Sequence, residues 1–61
     1  GMTFDEYMKL PLLHLPTLVR REGAMRADAI SVRGDRWRIT YIFAGGRTKT
    51  IETASCRLEV K

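Results

Sequence analysis

The chain has few of the residues that staple or tether a small protein. It carries one cysteine, Cys56, and one histidine, His14, in 61 residues. A lone cysteine excludes an internal disulfide, and one cysteine with one histidine cannot build the usual four-ligand zinc site within one chain. With two prolines and five glycines, there is little from which to make a linker, and no repeat or low-complexity tract is visible. No apolar run approaches the roughly 20 residues that span a bilayer, and no signal-peptide pattern is present. These absences lead to the expectation of a soluble protein from a reducing cytoplasm, without membrane contact. A glycine-rich phosphate loop, a paired-carboxylate site and a metal motif are also missing, so neither an enzyme nor a cofactor is expected. Gly1 ahead of Met2 reads as the remnant of a cleaved tag.

Length sets the next bound. A chain this short makes one domain, 1–61, and a single core of that size supplies only about 3 to 5 kcal/mol unless something reinforces it. Without a disulfide or a metal, the natural reinforcement is a partner, most simply a second copy of the chain.

What is present is clearest between Asp35 and Glu52. Trp37, Ile39, Tyr41 and Phe43 recur at period two with Arg38 and Thr40 between them, the pattern of a strand with one apolar and one polar face. Ala44-Gly45-Gly46 follows. A three-residue loop with Gly46 left-handed, a type I turn closed by a glycine bulge, sets Arg38 opposite Glu52, Ile39 opposite Ile51, Thr40 opposite Thr50 and Phe43 opposite Arg47. A two-residue Gly-Gly loop would shift the pairing by one and place Ile39 opposite Glu52. The bulged hairpin matches chemistry to chemistry and is preferred.

Upstream, Thr3-Phe4-Asp5-Glu6 has the form of a capping box and predicts a helix that Pro11 ends near Lys9 or Leu10. From Leu10 to Val19 the chain is unusually apolar and must be covered by something. Pro16 and Gly23 frame a second short helix with Arg20 and Arg21 near its end; the competing reading makes Thr17 to Arg21 a strand. Ala24 to Val32 reads as a strand and Arg33-Gly34-Asp35 as its turn, placing Met25, Ala27, Ala29 and Ser31 beside Phe43, Tyr41, Ile39 and Trp37. In the last segment Ala54, Cys56, Leu58 and Val60 alternate with parity opposite to Ile51, which predicts a bulge or bend near Thr53 to Ser55 or a strand that leaves the hairpin to pair elsewhere.

The formal net charge is +4, and most of the base is arginine. Guanidinium forks match phosphate oxygens, and such an excess on a small domain favours polyanions. The candidate nucleic-acid contacts are Arg33, Arg36, Arg38, Arg47 and Lys49. The plainer reading is that these charges keep a half-apolar miniprotein in solution, with Arg38 spent on Glu52. Leu12, Leu13, Leu15 and Leu18 are the candidate partner interface. Trp37 and Tyr41 could stack on unpaired bases if the aromatic face were open, but they read as core because no other part of the chain could supply one. His14 has no second ligand or carboxylate near it in sequence, and Cys56 reads as a small core residue. Arg33-Gly34-Asp35 spells an adhesion tripeptide, but without a secretion signal it is a chance match.

The run Asp35-Arg36-Trp37-Arg38-Ile39-Thr40-Tyr41-Ile42-Phe43, with Gly46 and then Ile51-Glu52, resembles the central hairpin of RelE/HigB-type toxins. The resemblance implies contact with nucleic acid and, more distantly, a small ribonuclease. It covers about a third of the chain. Those toxins are longer and often carry a Tyr or His near their end, where this chain reads Arg57-Leu58-Glu59-Val60-Lys61, so no residue inherits a role in RNA cleavage.

The expectation is therefore an α+β fold: one or two short N-terminal helices packed on a three-stranded antiparallel β-meander. The expected function is a small non-enzymatic basic binding module of bacterial or phage type that contacts nucleic acid. The alternative is a protein-interaction or structural subunit, a homodimer or one docking through residues 10–19.

Overall fold

The structure, a computed structural model, describes residues 1–61. Seven elements follow in chain order: α1 (Phe4–Met8), β1 (Leu12–His14), α2 (Leu15–Glu22), β2 (Arg26–Arg33), β3 (Arg36–Ile42), β4 (Thr48–Glu52) and β5 (Arg57–Glu59). β2, β3 and β4 form an antiparallel meander in that order, and β1 and β5 form a separate parallel pair. The fold is α+β, as expected. No helix is long and apolar enough to cross a membrane.

The β3–β4 register is the one that the bulged hairpin predicts. Arg38 faces Glu52, Ile39 faces Ile51 and Thr40 faces Thr50, while the Phe43 amide donates to the Arg47 carbonyl at 2.8 Å. The Thr40 and Thr50 hydroxyls lie 3.1 Å apart and the Arg38 guanidinium 3.5 Å from the Glu52 carboxylate. Such cross-strand pairs contribute roughly 0.2 to 1 kcal/mol each. The turn itself differs from expectation. Gly46 is left-handed, but Gly45 also has a positive φ, 87°, with ψ 2°. Those angles and the Gly46 amide bond to the Phe43 carbonyl at 3.1 Å make a type II turn, which requires the positive φ that a type I turn lacks. Two consecutive glycines allow it.

β2 aligns Ala27, Ala29 and Ser31 with Tyr41, Ile39 and Trp37. The connection is tighter than the three-residue turn expected. β2 runs on to Arg33, which faces Arg36 across Gly34-Asp35, and the register shifts between Ser31 and Arg33. Val32 is the extra residue of this bulge, and the Ser31 hydroxyl braces it by donating to the Arg33 carbonyl at 2.5 Å.

The helices start and stop where local chemistry directs. The Thr3 hydroxyl accepts from the Glu6 amide at 3.1 Å while the Glu6 carboxylate accepts from the Thr3 amide at 3.0 Å. These bonds, the backbone one first, hold the Glu6 carboxyl below its usual range. Pro16 lies in the first turn of α2, and Gly23 ends it at φ 73° with its amide on the last carbonyls. The helical reading of 17–21 is the observed one. α1 departs from expectation in another respect: it is not packed on the sheet, and none of its residues is buried.

Small residues on β2 leave room over β3, and α2 fills it. Ile39 and Tyr41 are 0% and 1% exposed and, with Leu15, form the core. Leu18, Val19, Trp37, Phe43, Ile51 and Leu58 pack against it half-buried. Beyond these three only Cys56 is buried. The shape is long and thin, 42 × 18 × 15 Å, with a radius of gyration of 12.5 Å; a compact chain of this length would have about 10.5 Å. Its accessible surface is 4452 Å², against about 4,000 Å² for a compact monomer of this mass.

What positions the sheet against the rest is a strap from the C-terminal side of β4. The Thr53 amide donates to the Trp37 carbonyl at 2.9 Å, the Cys56 amide to Asp35 at 2.6 Å and the Arg57 amide to Pro11 at 2.8 Å. The chain bends at Ala54 and Ser55 and then enters β5, which pairs with β1 as Leu12–Arg57, Leu13–Leu58 and His14–Glu59. Both readings of the parity change in this segment are realised: a bend and a strand that pairs elsewhere.

Two outcomes follow. Ile39→Ala removes one of the two fully buried side chains, costing about 2 to 5 kcal/mol, and should leave the protein largely unfolded by circular dichroism at neutral pH. Burial, and after it the Glu22 carboxylate, raises the Tyr41 phenol above its ordinary 10.0. The neutral phenol thus favours the fold fully below pH 10, and this contribution disappears as pH rises through the elevated folded value. Urea midpoints should fall above pH 10 in the parent and fall less in Tyr41→Phe; equal losses would show that Tyr41 is not responsible.

Candidate nucleic-acid interface

A two-residue period on a sheet covered on one side leaves the even positions of β3 outside. Arg36, Arg38, Thr40 and Ile42 share this outer face with Arg26, Asp28, Ile30 and Arg33 of β2 and with Thr48, Thr50 and Glu52 of β4. It carries four arginines against two carboxylates. Two of those arginines are lightly engaged: Arg26 lies 3.5 Å from Asp28 and Arg38 3.5 Å from Glu52, all on exposed side chains. Exposed pairs of this kind are worth about 0 to 1 kcal/mol and yield readily to a competing anion. Arg33 and Arg36 stand directly opposite each other, and neither is within ion-pair distance of a carboxylate. Like charges in facing positions are unfavourable unless an anion bridges them.

The five predicted cations do not share one surface. Arg33, Arg36 and Arg38 lie together toward the β2–β3 turn. Arg47 is at the other end of β3, on the core side, with its guanidinium carbon 5.5 Å from the centre of the Phe43 ring. Lys49 faces Tyr41, and its Nζ lies 3.1 Å from the Glu22 carboxylate at the end of α2. The sequence could not expose that pairing, which needs α2 to be laid across the sheet. Arg26 was missed. It shares the face because Ala27 and Ala29 point inward, so the parity that located the small residues also located Arg26.

The predicted partner interface divides likewise. Leu15 is buried in the core and Leu18 packs against it, so both are used within the chain. Leu13 is half-buried in β1, and Leu12 is exposed. Arg57 is also used internally: its Nε donates to the Leu10 carbonyl at 3.2 Å.

His14 finds a carboxylate only in three dimensions. Its Nδ1 lies 2.7 Å from Glu59 across the parallel pair. A general base would need a nucleophile or a bound substrate beside it. The one hollow in the molecule, about 670 Å³, lies between α1 and the Gly34-Asp35 turn, lined by residues that include Met2, Phe4 and Tyr7. His14 is not among its lining residues, and the pair fastens β1 to β5. The Cys56 thiol is buried and contacts the Thr53 hydroxyl at 3.4 Å. No three His, Cys, Asp or Glu side chains converge as a metal ligand set would.

Comparison with protein-family models, with curated proteins and with solved structures finds no match.

Proposed function

We propose that the protein is a small non-enzymatic binding module that contacts nucleic acid through the outer face of its sheet. The observation that carries this reading is the facing pair Arg33 and Arg36, two guanidinium groups without an anionic partner, continued along β3 by Arg38. Each can offer a two-pronged donor to a phosphate, and the facing pair loses its mutual repulsion when one does. Thr40, Thr48 and Thr50 on the same face add hydroxyls of the kind that commonly contact phosphate and sugar. The competing account, charges that only keep the chain in solution, assigns no role to their clustering.

A second reading rests on a separate observation. No residue of α1 is buried, and Phe4 is 75% exposed, with Met2, Met8 and Leu12 also exposed. A five-residue helix is not stable alone in water. The excess surface and extended shape favour a second copy of this chain as its cover, and a stable dimer needs about 800 Å² from each partner.

Two measurements separate the readings. If Arg33, Arg36 and Arg38 each neutralise one phosphate, affinity for mixed-sequence DNA or RNA fragments should fall about 40-fold between 50 and 200 mM salt. Absence of binding at low salt, or a salt-independent affinity, would remove the first reading. Self-association should appear as a mass that rises with concentration in ultracentrifugation and is lost in Phe4→Asp and Leu12→Asp. These positions test it better than Leu18, whose replacement would disrupt the core as well. A constant monomer mass for the parent rules out the dimer.

A further inference from the structure

We infer that the outer face takes double-stranded nucleic acid by its phosphate backbone, without reading bases and in preference to single strands. This rests on the binding surface proposed above and concerns what that surface lacks. Of the five aromatic residues, Trp37, Tyr41 and Phe43 point to the core side of β3, and Phe4 and Tyr7 belong to α1. None is on the outer face. Surfaces that hold single strands without sequence preference depend on aromatic rings on which successive bases stack, at about 1 to 3 kcal/mol per base. That contribution is unavailable here.

What the face does offer is charge at fixed intervals. Arg36 and Arg38 are two residues apart on one strand, a spacing of about 6.8 Å in antiparallel sheet. Measured along the axis of a duplex, where each strand rises about 3.4 Å per base pair, that spans two base-pair steps. Arg33, on the neighbouring strand beside Arg36, broadens the row toward β2. The acids stand to either side of β3 rather than on it: Asp28 on β2 and Glu52 on β4. A narrow cationic row flanked by carboxylates suits a stiff backbone laid along β3. A flexible single strand, with about half the charge per unit length, would gain less from it. The two apolar groups on this face, Ile30 at 55% exposure and the half-buried Ile42, are aliphatic and offer no ring to a base.

The experiment measures the affinity of the full chain for equal-length fluorescent duplex DNA, duplex RNA and single-stranded DNA of mixed sequence, by anisotropy over a salt series. It uses the parent and two charge-matched variants. Arg33→Gln/Arg36→Gln removes two of the three arginines of the proposed row. Arg20→Gln/Arg21→Gln removes the same charge from the end of α2, which covers the opposite side of the sheet. Circular dichroism checks that both variants are folded. The inference expects at least one duplex to bind fivefold or more tightly than the single strand. It also expects little change among duplex sequences, and a loss of about two units of logarithmic salt slope in the Arg33/Arg36 variant alone. The two duplex arms distinguish DNA from RNA as the source of the backbone. Single strands that bind as tightly as both duplexes, still dependent on Arg33 and Arg36, would overturn the inference and leave the binding surface standing. Binding lost in the Arg20/Arg21 variant instead, or no binding at low salt, would overturn both.

Discussion

β3 is paired along both edges and covered on one face, so its two-residue alternation decides where every neighbouring side chain goes. Ile39 and Tyr41 reach the interior because they share parity, and Arg36 and Arg38 reach solvent for the same reason. Core and charged surface are therefore one feature seen from two sides. A one-residue slip of β4 would put Glu52 beside Ile39 and Ile51 in water. The matched pairs along β3 and β4 and the two left-handed glycines of the connecting turn all work against that slip.

The rest of the chain works to cover a single sheet face with very little material. Ala27 and Ala29 lower the floor under α2, and Leu15, Leu18 and Val19 fill the space above. Arg57 illustrates the economy: its backbone amide and side chain are both spent on carbonyls of the Leu10-Pro11 segment. An arginine used in this way adds to the charge total but is poorly placed to serve a ligand. Net charge overstates the cationic surface for the same reason at Lys49, which Glu22 engages.

How much could be read beforehand depended on how local the cause was. The capping box at Thr3 and Glu6, the Pro16 and Gly23 frame of α2 and the pairing of β3 with β4 each arise from residues near one another in sequence, and each was legible. The type II turn was not, because Gly45 and Gly46 both tolerate positive φ and either could have been the pivot. β1 and β5 were illegible as a pair. Alternation marks the β5 segment but cannot name its partner; β1 is three residues long, and the two meet in parallel across most of the chain. The candidate surface was legible where it followed β3, at Arg36 and Arg38. The placement of Lys49 on Glu22 and of Leu15 and Leu18 at the core was not legible, because each depends on where α2 lies across the sheet.

The joining of β1 to β5 also carries an entropic cost. Bringing Leu12 to Arg57 closes a loop whose entropy, for about 45 residues, costs about 3 kcal/mol beyond the constant for any closure. The meander offsets part of that cost, because pairing β2, β3 and β4 already shortens the loop that the strap has left to close. Because β1 runs into α2 with no loop between His14 and Leu15, the pairs that anchor β1 to β5 also fix where the leading turn of the helix sets Leu15 down on Ile39 and Tyr41.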